Sequence, residues 1–526
     1  MSRFSAAFQT VASDSRGEAL RAKLYVRLND GVGGIPGTLV EITATQDIIS
    51  VGDIVQKRER QWGVVQGQAW QVRVTNADLG LLDYSLPGCW AALKCGFEDA
   101  DEWDLFAQGK ISRAIPSGDG TLTLEVYDGV MDLLQFSLPR DITFQDSNWA
   151  SGIQVVETAS GSGSYDEATA LTVASAPVET TDETFYIEFT STTAFKIILE
   201  DGDETQTGNT SSDCSVDNVD ADTVVTIPSA GWTGTFAAGD RFVFYTARPR
   251  TAAELSPVGM IAHLIDDVAG LTVYDVLTGA NYSSPRYDTS NWSTQSTEYD
   301  DCEIGGLWER GSSLAEMIQD ALKIVHGAVF PTHTGQIGLW VMQPSTTVSV
   351  ELNGDPNRGT IDITDTPILE HSLADAVNEV TFEYLSLEGV AASVTKVDGD
   401  TPYSDTRAAT VSIGWRVESS YVETSCSRYL SRFRLGRQEY TLPTTLKGVL
   451  AEAGTAAAIT EPMLGVISKN VDVIHLGVRP LDNAVVIKAY VDYAVNDGYF
   501  ILGDATTDPV GSQLGSSGMT GAKPMW

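Results

Sequence analysis

Residues 95–134 read CGFEDADEWDLFAQGKISRAIPSGDGTLTLEVYDGVMDLL, and their patterning decides the fold class. Positions 105–111, LFAQGKI, form one predicted strand, and a Pro-Ser-Gly-Asp-Gly turn at 116–120 follows. Thr121-Leu122-Thr123-Leu124-Glu125-Val126-Tyr127 then alternates polar with apolar residues, so one face is buried and the other wet. A closing element follows directly, ending in Met131-Asp132-Leu133-Leu134. This is a sheet hairpin and not an enzyme motif.

The same short-strand pattern extends to both sides. Predicted strands at 24–28, 37–44, 68–74 and 90–95 precede the hairpin with Gly-rich turns between them, which reads as one barrel or sandwich over residues 1–143. Residues 144–248 shift toward Thr, Ser, Asp and Gly. FYIEF at 185–189, FKIIL at 195–199, VVTI at 224–227 and RFVFY at 241–245 predict an inserted β-sandwich there.

Helical periodicity appears in residues 249–361. Thr251-Ala252-Ala253-Glu254 has capping-box spacing, while Pro257 is an alternative first-turn residue; Met260, Ile261, Leu264, Ile265 and Val268 follow at helical intervals. Leu314, Met317, Ile318, Ala321, Leu322 and Val325 predict a second helix, begun at Ser312 or Ser313 and stopped by Gly327. A strand, a turn at His333-Thr334-Gly335 and another strand complete an α+β domain. Residues 362–502 predict a further barrel with a helix at 419–436, and 503–526 a Gly- and Ser-rich tail too poor in apolar residues to fold alone. The fold class is therefore mainly β with α+β portions.

Composition narrows the function. With 71 acidic against 33 basic residues the 526-residue chain carries a formal charge of −38, a field that repels phosphate and argues against stable nucleic-acid binding. The opening Met1-Ser2-Arg3-Phe4 leads into polar residues, not a secretory leader, and no apolar run reaches membrane-spanning length. Five scattered cysteines, Cys89, Cys95, Cys214, Cys302 and Cys426, suit synthesis in a reducing cytoplasm and buried thiols rather than a disulfide framework or an iron–sulfur cluster.

Searches for chemistry end without a catalytic residue, cofactor or metal site. His263, His326, His333, His371 and His475 show no metal-ligand spacing and read as packed or capping histidines. The acidic run 98–104 lacks the separated pair of carboxylates that glycoside hydrolysis requires, and reads as a solvated loop. DCSVDNVDAD at 213–222 offers oxygen ligands but lacks the Gly and terminal Glu of an EF-hand loop. No nucleophile elbow, phosphate-binding loop or dinucleotide fingerprint occurs.

At the hairpin, Phe106-x-x-Gly109-x-Ile111, a turn, then Thr123-Leu124-x-Val126-x-Asp128, the chain resembles the small barrels of phage tail-tip proteins, especially the tail or baseplate hub. Asn378-x-Val380-x-Phe382-x-Tyr384, a return strand, an Arg-bearing helix and paired strands resemble the hub's second barrel. The motifs are short, and their order carries the resemblance. One departure follows Leu446-Lys447-Gly448: where the pattern has Gly-Asp-x-Val, this chain has AEAGTAAA at 451–458, which predicts a modified barrel wall.

The resemblance implies a structural virion component located in the tail. It further implies a homotrimer contacting a distal tail protein, the tail tube, the tape-measure protein and receptor-binding or fibre proteins, with DNA passing through an acidic lumen. Contractile and non-contractile tails both remain open. The alternative is a distal tail or fibre-like protein whose insertion binds host glycans through exposed Trp149, Tyr165 and Trp232, since sugar faces stack on aromatic rings. Met525 and Trp526 are candidates for docking the C-terminal tail on a neighbour.

Overall fold

A computed structural model describes the chain from Phe4 to Tyr490, apart from residues 15–19, 29–36, 43–46, 58–68, 76–80, 82–83, 98–100, 139–141, 145–152, 158–161, 167–171, 174–182, 200–203, 218–222, 247–254, 270–275, 279–286, 289–291, 293–298, 300–301, 309–310, 342–347, 374–375, 388, 399–404 and 434–435. Strands dominate and helices are few, so the fold is mainly β with α+β portions.

The quoted hairpin lies at the centre of a seven-stranded antiparallel sheet. Its order is Leu39–Ile42, Arg21–Arg27, Trp90–Phe97, Glu102–Pro116, Thr121–Tyr127, Ala69–Thr75 and Ile48–Val51. The first hairpin strand is longer than its alternation suggests. Glu102, Trp103 and Asp104 pair with Phe97, Gly96 and Cys95, so this part of the acidic run is strand rather than solvated loop. Trp103 explains the extension, because its ring lies under the Lys23 ammonium at 3.7 Å and holds the strand end against the sheet. The helix Ala6–Asp14, unmarked by sequence motifs, brings Phe8 against Phe97 and Phe106 at 5.4 and 5.8 Å between ring centres.

A second β unit has the order Val348–Asn353, Ala456–Glu461, Val466–Arg479, Ala484–Tyr490, Arg437–Thr444 and Ile368–Ser372. The stretch 451–458, expected to make a modified barrel wall, runs into Ala456–Glu461. The latter is a strand, almost wholly buried and flanked on both sides, parallel to Val348–Asn353 and antiparallel to Val466–Arg479. Burial on both faces removes the polar alternation that identifies a half-exposed strand.

The segment 362–502 is not one unit. Glu379–Leu385, Ala391–Val397 and Ala408–Val417 leave it to join Ile304–Trp308 and Ile142–Phe144 in a separate five-stranded sheet. Glu379–Leu385 runs parallel to Ala408–Val417, and the sheet packs on the helices Leu314–Val325 and Ser419–Phe433, making an α+β layer. Parallel pairing requires a crossover, and alternation within one strand does not reveal its partner. Trp415, fully buried, donates its indole N–H to the Met317 carbonyl at 2.9 Å and ties sheet to helix.

Helix Leu314–Val325 has the predicted limits, but its stop differs. His326, not Gly327, adopts the left-handed conformation at φ 52°, and Gly327 follows where a side chain would meet Leu322 and the Trp340 carbonyl at 2.9 Å. The helix Pro257–His263 is capped by the Ser256 hydroxyl, which accepts from the Gly259 N–H at 3.0 Å; residues 251–254, the alternative cap, lie outside the described residues.

Residues 153–246 form the insertion. Its main sheet has the order Ile153–Glu157, Arg241–Thr246, Glu183–Phe189, Ala194–Leu199 and Glu204–Asn209, and a three-stranded sheet contains Thr172–Val173, Thr223–Ile227 and Cys214–Asp217. Its core is separate and aromatic, with Phe189 stacked on Phe236 at 4.1 Å.

Candidate assembly surfaces

The two large β units are joined by more than chain connectivity. Ile54–Lys57, from the first unit's stretch of sequence, pairs antiparallel with the C-terminal half of Val466–Arg479: Ile54 faces Val478, Val55 Gly477, Gln56 Leu476 and Lys57 His475. Arg479 then clamps Asp53 with two N–H donors, Nε at 2.5 Å and Nη2 at 3.2 Å. This hydrogen-bonded contact holds the Asp53 carboxyl below its ordinary range. A third tie is the Leu20 N–H, donated to Asn483 Oδ1 at 2.7 Å. Side chains of both units, from Phe8 and Leu24 to Leu442 and Ile487, form one continuous hydrophobic core.

His475 lies inside this seam, between Lys57 and Lys488. Burial first, and then the two ammonium groups, pull its pKa below the ordinary imidazole value, against smaller opposing effects of Asp53 and Glu439. A base with a depressed folded pKa takes up its proton more readily when unfolded. The stability it contributes is complete above pH ~6.5, the unfolded value, and is lost as pH falls below it. Thermal melts from pH 8 to 5 are expected to show this loss, and His475→Gln to flatten it; an unchanged slope in the variant would assign the loss to other groups.

Further along the same long strand, the Lys469 ammonium donates to the Tyr440 hydroxyl at 3.0 Å. Burial pulls Lys469 down to about 8 and pushes Tyr440 up to about 12.

The α+β layer is fastened to the first sheet by the hairpin motif and by Arg27 at the end of Arg21–Arg27. Gln108, 2% exposed, donates to the Thr334 carbonyl, Lys110 pairs with Asp132 at 2.8 Å, and Arg27 donates to the Val276 and Leu277 carbonyls at 2.9 and 2.8 Å. The opposite end of the hairpin projects. Residues 115–120 are exposed, and the turn is held by Asp119, which accepts from the Thr121 N–H and hydroxyl and pairs with Arg73 at 2.6 Å. The Thr121 hydroxyl is the main cause of Asp119's lowered pKa.

Two of the three aromatic residues expected to stack on sugars, Tyr165 and Trp232, are packed inward. Tyr165 is 4% exposed and Trp232 half-buried; they meet edge to face at 4.7 Å, and Trp232 also packs on Phe189, Phe195, Phe236 and Phe242. Both belong to the insertion's core, and desolvation raises the Tyr165 pKa. Their spacing in sequence carried no sign that short strands at 164–165 and 232–233 would pair and turn them inward. Trp149, Met525 and Trp526 lie outside the described residues.

The remaining candidates have structural employment. Asp213 accepts from the Ser229 N–H and hydroxyl at 2.8 and 2.9 Å, pinning a turn of the sandwich; residues 218–222 of that acidic run lie outside the described residues. All five cysteines are buried and free of disulfides, and burial pushes the Cys302 thiol up. His326 is fully buried, which drives its pKa well down. Among the described residues no cluster of His, Cys, Asp and Glu is placed to hold a metal, and no helix is long and apolar enough to cross a membrane.

The sequence matches no protein-family model and no curated protein. Structural comparison finds a tail protein from Neisseria meningitidis MC58, at 11% identity and TM-score 0.46, covering 90% of this chain and 98% of that one. The 43 kDa tail protein of prophage MuSo2 from Shewanella oneidensis is 10% identical, with TM-score 0.42 and coverage of 91% and 99%. Prophage tail protein gp18 from Listeria monocytogenes EGD-e is 8% identical, with TM-score 0.38 and coverage of 90% and 95%. Over most of its length, the chain is similar to solved tail proteins of phage type.

Proposed function

We propose that the chain is a structural component of a phage tail tip: a hub that joins the tail tube to receptor-binding parts, assembles as a homotrimer and gates the passage of DNA. One observation carries this reading. The two β units share a core and a strand, so they form a single stiff body rather than two beads on a linker, as a part that transmits force between neighbours requires. The inserted sandwich has a hydrophobic core of its own, in keeping with a peripheral role.

The net charge of −38 supports the DNA-passage element, because a carboxylate-rich wall repels phosphate and lets a duplex slide without being held. The sugar-binding alternative loses two of its three residues to the sandwich core and is not pursued.

Electron microscopy of the assembled particle tests the proposal. Three copies around the tail axis are expected, and six would replace the hub by a distal ring.

A further inference from the structure

Ala391–Val397 ends the five-stranded sheet: Glu379–Leu385 pairs with one side of it, and no described strand lies on the other. At seven residues it is the longest strand to end a sheet among the described residues. The Ser386 N–H donates to the Val390 carbonyl and the Asp398 N–H to the Asn378 carbonyl, both at 2.8 Å, and the register between them is unbroken. Even-numbered residues therefore bond toward Glu379–Leu385, while Ala391, Ser393, Thr395 and Val397 aim their N–H and C=O groups at the open side.

Nothing blunts this edge. Sheet edges are ordinarily kept from pairing by proline, a bulge, short length or charge. This strand has no proline, glycine or bulge, and its one charged side chain, Lys396, alternates with the helix-packed Ala392 and Val394 and pairs with Glu423 of helix Ser419–Phe433 at 3.6 Å. The side chains of Ala391, Ser393, Thr395 and Val397 are exposed.

The strand is also complementary to itself. Turned about a two-fold axis at Val394, Ala391 meets Val397 of a second copy and Ser393 meets Thr395, so each of the four pairs exchanges two hydrogen bonds, about eight in all. Lys396 then falls opposite Ala392, which leaves the two ammonium-bearing positions about 14 Å apart, past the ~8 Å screening length of physiological salt. Centring the axis on Lys396 instead would set like charges opposite each other and keep only half of the pairs.

We propose that two copies of the free chain join through this edge, Ala391–Val397 antiparallel to itself about Val394, continuing the five-stranded sheet from one copy into the next. The contact is isologous, so it is distinct from any three-fold contact about a tail axis, and it does not rest on the hub reading.

Sedimentation of the full chain tests it. At about 100 µM, ample for a micromolar association, the wild-type particle is expected to have twice the mass of Thr395→Pro, whose ring removes an N–H on the open side and leaves the pairing with Glu379–Leu385 in place. Ser393→Lys with Thr395→Lys sets like charges against each other across the axis, as does Ser393→Glu with Thr395→Glu. Each double variant is expected at half the wild-type mass, and an equal mixture of the two at the full mass, because opposite charges then meet. Both altered positions are exposed, and circular dichroism checks that the fold is kept. A wild-type mass equal to that of the double variants would overturn the contact, and so would a mixture that stays at half mass.

Discussion

Gly109→Ala is expected to destabilise the first β unit by about 3 kcal/mol, near the upper end for overfilled interiors. A Cβ at this position would stand 2.1 Å from the Tyr127 carbonyl oxygen and 2.8 Å from its carbon, and these are backbone atoms of the neighbouring strand. A flexible side chain could yield, but a paired strand yields only by giving up its register. The register already shifts between Ile111 and Arg113, so the glycine sits beside an irregularity where the two backbones approach closely. Gly118→Ala is the control: at the hairpin turn a Cβ would meet nothing within 4 Å, and a change within about 0.5 kcal/mol is expected. Urea unfolding followed by circular dichroism separates the two. Equal midpoints would show that the strands can part at Gly109 without penalty.

Trp415→Ala is expected to cost about 3–5 kcal/mol in the α+β layer. The indole is fully buried, packs against Trp308 at 5.4 Å and donates to the Met317 carbonyl, so the deletion leaves a void and cuts the link between sheet and helix. Trp415→Phe keeps most of the volume and loses the N–H, and about 1–2 kcal/mol is expected. Near-ultraviolet circular dichroism reports the tryptophan environment and melting reports the loss. An alanine variant as stable as the phenylalanine one would mean that the layer collapses into the void.

These two positions also divide what was legible in the sequence from what was not. Gly109 belongs to the motif that identified the hairpin, and most of that strand follows from local alternation. Trp415 could be placed on a strand by the same means, but nothing nearby in sequence shows that its sheet partner is Ile304–Trp308 rather than the barrel that follows. Partner choice is what local sequence leaves out: Asn378 to Tyr384 alternates well, yet its strand joins a different sheet from the paired strands that follow it, because alternation reports that one face is buried and not what buries it. Ala456–Glu461 is hard to read for the opposite reason, having no wet face to alternate with. Among candidate site residues, Tyr165 and Trp232 are expected to be exposed, yet paired two-residue strands are enough to turn both rings inward.

Ile54–Lys57 has a consequence for how the chain is made. Its partners lie at 475–478, and the Arg479–Asp53 clamp closes a separation of 426 residues. At roughly 5–20 residues per second of synthesis, the strand emerges about 20–80 s before its partner exists. During that interval the first unit carries a strand without its final neighbour, and no local turn can supply one. Completion of the seam is therefore a late, slow closure governed by the far end of the chain, and truncated products would lack it however well their first sheet folds.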